Sequence, residues 1–255
     1  MKFAITIGSY ELLSFCELNI LQCRRVFGPD VPILLSDGRS VNSSKMEELA
    51  EQHNCFYQGE EVNRDHFMGC MQTTVNSLVF GAQMQANVTI KINQRLVILG
   101  QEIKTILETC FSNSGIMLAL PGRPNPASII TASKFFSKFP YLNDVVAWRV
   151  GCLDPDYVKF SYENQVKTRK SNVDTFSETW QQNIIHDRFA KEYAIINALT
   201  EHSPGQPHRY LRKVQNTRQD YVDAAVSNGM THFELPVAEW RALKGNNYHP
   251  IPAIA

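Results

Sequence analysis

Residues 86–98 read ANVTIKINQRLVI, an apolar strand pattern interrupted by Lys91, Asn93, Gln94 and Arg95. Two cations near a strand's end could together hold an anion. The guanidinium fork matches planar phosphate geometry, and the ammonium acts as a point charge. Burying both cations at a sheet edge calls for an anionic partner; the competing reading is an exposed strand end that points them to solvent. Upstream, Ser9-Tyr10 follows the apolar KFAITI and Asp37-Gly38 follows VPILLS, so each polar pair falls where a strand gives way to a helix. Such turns, at the carboxyl ends of parallel strands, are where open α/β sheets bind ligands. Arg64-Asp65 precedes a further long helix, with Asp65 suited to an N-cap.

The elements that must position these groups alternate. Apolar runs at 2–7, 31–38, 54–59, 87–92 and 115–122 predict strands, and the periodic stretches between them predict helices, which together imply βαβ units and a largely parallel sheet. The first helix carries Leu12, Phe15, Leu18 and Leu21. The second, SSKMEELAEQ, places Ser44 and Glu47 as a capping box. A long third helix sets Met68, Met71, Val75, Leu78 and Ala82 on one face, and a fourth lies near 100–111.

From Pro124 the alternation fades into the loop signals PGRPNP, LDPD and SPGQPH. Helical patterns are predicted near 174–200, with Phe176, Trp180, Ile184, Tyr193, Ile196 and Leu199, and from about Thr217 to a stop at Asn228-Gly229. The chain thus divides by role, within one domain, into 1–123 and 124–255.

Lys plus Arg and Asp plus Glu both number 25 in 255 residues, so no overall field draws nucleic acid or an anionic membrane. Basic and aromatic residues are not interleaved as in a nucleic-acid module. Six cysteines without a C-x-x-C pair fit a reducing cytoplasm. The apolar run after Met1 is too short for a signal peptide, and no run approaches the roughly 20 residues of a membrane helix. An unexported, cytoplasmic chain is expected. Neither G-x-G-x-x-G nor G-x-x-x-x-G-K-[ST] occurs, which argues against a dinucleotide dehydrogenase and a P-loop hydrolase.

Taken in order, ITIGSYE, LLSDGRS and TIKINQR resemble the nucleotide-binding half of GT-A fold glycosyltransferases, especially family 2-like enzymes, over roughly the first half of the chain. The resemblance implies an α/β fold: a mainly parallel sheet flanked by helices, with an irregular helical C-terminal part. Residues 1–123 would be the nucleotide-binding half and 124–255 the acceptor side. It also implies transfer of a sugar from a nucleotide-diphosphate sugar to the hydroxyl of a glycan or other acceptor. Ser9 and Tyr10 would meet the nucleoside. Asp37-Gly38 matches the second half of a D-D-G-S turn, with Ser36 in place of its first Asp and Arg39 inserted before Ser40. There Asp37 would accept the imide N–H of uracil or thymine; a plain turn pair is the alternative. Arg64, and His208 from a C-terminal loop, would reach the diphosphate. An inverting transfer needs a carboxylate base, for which Asp154, Asp156 and Glu163 lie at a suitable distance, although DPD is also an ordinary turn.

The chain departs from that pattern where a metal-holding D-x-D is expected and Lys91-Ile92-Asn93 stands. Lys and Asn cannot build a hard-oxygen site for Mn or Mg, so no metal is firmly implied. Lys91 and Arg95, with Asn93, would neutralise the diphosphate instead. Two alternatives are a catalytically inactive binding or partner protein on the same scaffold, and a nucleotidyltransferase, which would also want paired carboxylates.

Overall fold

The computed structural model describes residues 1–10, 13–61, 65–94, 96–98, 102–121, 145–168, 188–189, 193–196 and 230–232. Strands β1 (Phe3–Ser9), β2 (Ile33–Asp37), β3 (Phe56–Gly59) and β4 (Val88–Asn93) alternate with helices α1 (Leu13–Phe27), α2 (Ser43–Gln52) and α3 (Asp65–Gln83). A short β5 (Leu96–Ile98) precedes α4 (Glu102–Ser112), β6 (Leu118–Pro121), β7 (Val145–Arg149) and α5 (Pro155–Thr168). Later come β8 (Tyr193–Ile196) and β9 (Met230–His232).

One seven-stranded sheet has the order β3-β2-β1-β4-β7-β6-β8. All its strands run parallel except β7, which is antiparallel to both β4 and β6. Consequently the fold is the expected α/β sheet flanked by helices. β5 and β9 form a separate antiparallel pair.

Burial explains the layers. β1, β2 and β4 are buried on both faces, apolar towards α1, α2 and α4 and partly polar towards α3, where Thr6, Ser36, Thr89 and Lys91 lie. Ile5, Ile7, Ile33, Leu35, Ile90 and Ile92 pack with Cys16, Ile20 and Cys23 of α1, Met46 and Leu49 of α2, and Ile103 and Leu107 of α4. On the other face α3 lies against the sheet and α5 covers α3: Met71, Val75 and Leu78 join Leu153, Val158 and Trp148. The sheet-facing side of α3 is different in kind. Thr73, Thr74, Asn76 and Ser77 are all buried, with Asn76 Nδ2 donating to Ser36 Oγ at 2.9 Å and Ser77 Oγ 3.0 Å from Thr89 Oγ1. Of the apolar face expected for α3, Met71, Val75 and Leu78 are buried but Ala82 is exposed.

Two local expectations are corrected. Residues 193–196 are a strand, not part of a helix from 174 to 200; β8 satisfies its backbone groups by pairing in parallel with β6, a non-local gain that outweighs helical periodicity. The α2 capping box does not form: the helix starts at Ser43, its N-cap Asn42 makes no side-chain cap, and the Ser43 hydroxyl is used elsewhere. β7 and β9 carry no alternation strong enough to have been read. The patterns at 174–187 and 217–228 lie outside the described residues.

Candidate functional site

The chain winds β1, β2, β3 to one side and then places β4 on the other side of β1, so the strand order reverses between β1 and β4. Open α/β sheets bind ligands outside the carboxyl ends of the strands at such a switch point. Here Ser9 pairs in register with Asp37, and Gly8 with Asn93.

The turns that leave this edge are tied to one another. Gly38 N donates to Ser9 O at 3.1 Å, Gln94 N to Gly8 O at 3.0 Å, and Glu60 N to Asp37 O at 3.0 Å. Gln94 is the central link: its Oε1 accepts from Tyr10 N at 2.6 Å, and its carbonyl accepts from Asn19 Nδ2 of α1 at 2.8 Å. These bonds, spanning 84 and 75 residues of chain, tie the fourth turn to the first turn and to α1, and the Gly38–Ser9 bond adds the second turn to the same rim. Ser9 Oγ is buried at this rim with no hydrogen-bond partner among the described residues.

Asp37 is fully buried, at 0 % exposure. Its Oδ1 accepts from Ser40 N at 3.2 Å; its Oδ2 accepts from Ser43 Oγ at 2.6 Å and Tyr57 OH at 3.0 Å, with Ser40 Oγ at 3.5 Å. Among the described residues no cation pairs with it. A buried carboxylate is tolerated only when such donors replace its water. The interaction therefore organises the turn and leaves little of the carboxylate for a ligand.

Burial, and then the negative charge of Asp37, push the Tyr57 hydroxyl up to about 12 from its ordinary 10.0. With the folded pKa raised, this contribution to stability is complete below pH 10 and is lost as pH climbs from about 10 to about 12. Tyr57→Phe is expected to remove that alkaline loss, measured as Tm against pH; an unchanged alkaline profile would disprove the coupling.

Lys91 occupies β4 two residues short of its end and is 1 % exposed. Its side chain turns under α3, where Nζ lies 3.5 Å from Cys70 Sγ. The residues that emerge at the edge are instead half-buried Asn93 and buried Gln94. Tyr10 is 37 % exposed, with its ring 3.7 Å from where a Cβ on Gly38 would sit. Arg64, Arg95 and His208 lie outside the described residues, as does the side chain of Asp65.

The proposed bases are placed elsewhere. Because β7 is antiparallel, it ends at Arg149 opposite Val88, where β4 begins. Val150 N accordingly donates to Asn87 O at 3.0 Å. Asp154 and Asp156 follow at this amino edge, away from the turns. Asp154 Oδ1 accepts from Asp156 N at 2.9 Å at the start of α5, and Asp156 is 88 % exposed beside Lys159. The turn reading of DPD is the one the geometry supports. Glu163 is exposed midway along α5.

Sequence reasoning passed over Asn19, Ser43, Tyr57 and Gln94. Gln94 stood inside the quoted stretch, but nothing local marks the other three, whose partners are distant in sequence.

The described residues at this edge do not suit a divalent cation. Asn93 and Gln94 bring amides, Asp37 is already filled with donors, and no group of three His, Cys, Asp or Glu able to hold a metal occurs among the described residues. No step through a metal is derived.

Neither a family model nor a curated protein sequence matches the chain. Solved structures do share its α/β fold, and those with the same arrangement include glycosyltransferases. WbbM, a bifunctional glycosyltransferase, superposes with a TM-score of 0.57 at 11 % identity over 92 % of this chain and 46 % of its own. GlyE, a glycosyltransferase of Streptococcus pneumoniae, gives 0.56 at 10 % identity over 97 % of this chain and 61 % of its own. Glucosyl-3-phosphoglycerate synthase of Mycobacterium tuberculosis, solved with Mn2+ and UDP, gives 0.51 at 9 % identity, covering 95 % and 76 %. The chain thus spans between about half and three quarters of these proteins. At such identities the likeness is one of fold. No described helix is long and apolar enough to cross a membrane.

Proposed function

We propose that the chain binds a nucleotide-diphosphate sugar at the carboxyl edge of β1, β2 and β4 and transfers the sugar to an acceptor hydroxyl without a D-x-D metal pair. The observation that carries this reading is the rim at the switch point, where Ser9, Tyr10, Gly38 and Gln94 are bonded together in a GT-A-like strand order. Cross-linked turns of this kind are preorganised, which lowers the ordering cost of binding. Ser9 and Tyr10 meet the nucleoside, Tyr10 through its exposed side chain. Asn93 stands where the diphosphate would cross from β1 to β4. Lys91 lies about 7 Å further down the strand, at roughly 3.3 Å per residue, and acts on the anion through its field. Arg64, Arg95 and His208 complete the diphosphate contacts. No base is assigned from Asp154 or Asp156, which lie at the other edge.

The test is thermal stability against UDP, GDP, TDP and CDP and their common sugar conjugates, with and without manganese. A ligand at about 100 times its Kd adds about 2.7 kcal/mol, or roughly 5–10 °C in Tm for a chain of this size. A shift with one nucleotide that ignores manganese, and is lost in Lys91→Met with Arg95→Ala, is the expected result. A shift that requires manganese would replace the metal-free reading. No shift would favour a second reading, a catalytically inactive binding or partner protein, which the amides at the end of β4 and the filled carboxylate of Asp37 already favour.

A further inference from the structure

The second turn presents an arginine where its carboxylate is withdrawn. Asp37 points inward and is filled by its own hydroxyl and amide donors. Two residues on, Arg39 is exposed and has a φ of 60°, the left-handed region that a residue with a Cβ adopts only under constraint.

The constraint comes from both sides. Gly38 N donates to Ser9 O at 3.1 Å, Ser40 N to Asp37 Oδ1 at 3.2 Å, and Ser43 N to Ser40 O at 3.2 Å. Arg39 is thus fixed between two anchored residues, next to the Tyr10 ring that stands over Gly38. Among the described residues it makes no hydrogen bond or ion pair. A strained backbone that its surroundings over-determine, at the carboxyl edge of a parallel sheet, is the kind of feature kept for a ligand. Glycine would relieve the strain but would remove the guanidinium.

We propose that Arg39, rather than Asp37, is the ligand-contacting residue of this turn, and that its guanidinium binds phosphoryl oxygens of the nucleotide. This deepens the nucleotide-sugar reading and rests on it. One charged fork on a rigid turn would supply part of the neutralisation that an acidic pair and a metal supply in other sites.

Titration calorimetry of the wild type, Arg39→Ala and Arg39→Gly against UDP, GDP, TDP and CDP tests the proposal, each at low salt and at 0.5 M salt, together with the Tm of each protein. Both variants are expected to bind the preferred diphosphate on the order of tenfold more weakly, and the loss is expected to shrink at high salt as the contact is screened. Arg39→Gly is expected to melt at or above the wild-type temperature, so weaker binding cannot be ascribed to misfolding. Variants that bind as tightly as the wild type overturn the role of Arg39 and leave the nucleotide reading standing. A loss independent of salt overturns the charge contact. A wild type that binds none of the four overturns both.

Discussion

Asp37→Ala is expected to lower stability by about 3–4 kcal/mol, or roughly 6–16 °C in Tm, the largest effect of any polar substitution at the rim. The substitution removes the acceptor of Ser40 N, Ser43 Oγ and Tyr57 OH and leaves them partly buried together. Each buried donor left without a partner costs about 1–3 kcal/mol, while loss of the carboxylate's own desolvation offsets part of the total. Asp37→Asn keeps one acceptor oxygen, and both hydroxyls can rotate, so about half the loss is expected. Thermal melting decides the matter. An alanine variant within about 2 °C of the wild type would show that the carboxylate does not hold the turn. If Asp37 instead contacted a nucleobase directly, the variant would keep its stability and lose only binding.

The second large effect is at the opposite end of α3. A Cβ on Gly81 would lie 2.7 Å from Thr89 Cβ and 3.1 Å from Val150 Cγ2. Thr89 cannot retreat cheaply, because it is paired on both sides, with Ala4 of β1 and Trp148 of β7, and its Oγ1 donates to Ser77 O at 2.9 Å. In an open helix, Gly→Ala would gain about 1 kcal/mol. Here Gly81→Ala is expected to lose about 1–3 kcal/mol through overpacking. Gly81→Val, with two more carbons against the strand, should lose at least about 3 kcal/mol. Denaturant unfolding of both variants measures this, and an alanine variant more stable than the wild type would show that α3 does not pack so closely on β4. The effect reaches the site because α3 also covers Lys91 and bonds Ser36 through Asn76.

Most of the first 121 residues could be read in order. The apolar runs at 2–7, 31–38 and 87–92 became β1, β2 and β4, and 115–122 contains β6, because strands buried on both faces are predominantly apolar whatever they pair with. The helices between them followed from their periodicity. The turns after β1 and β2 were also legible, since Gly8-Ser9 and Asp37-Gly38 punctuate the runs. These local signals, and the likeness they carried, determined that the chain is an α/β fold and where along it the rim residues fall.

What tertiary structure alone decided was direction and partnership. Antiparallel β7 turns the chain around, and this moved Asp154 and Asp156 to the amino edge, a consequence that no local pattern around DPD contains. Pairing with β6 made a strand of residues 193–196 despite their helical spacing. Tyr57, 20 residues from Asp37, fills its carboxylate only because β3 lies beside β2. Lys91 looked like a cation at a strand's end, yet the cover of α3 places it inside. Periodicity is a property of neighbours in sequence, whereas strand order, hydrogen-bond partners and burial arise between segments far apart in the chain. For this protein the sequence determined the elements and the candidate residues, and the packing of β7, β3 and α3 decided which of them share an edge.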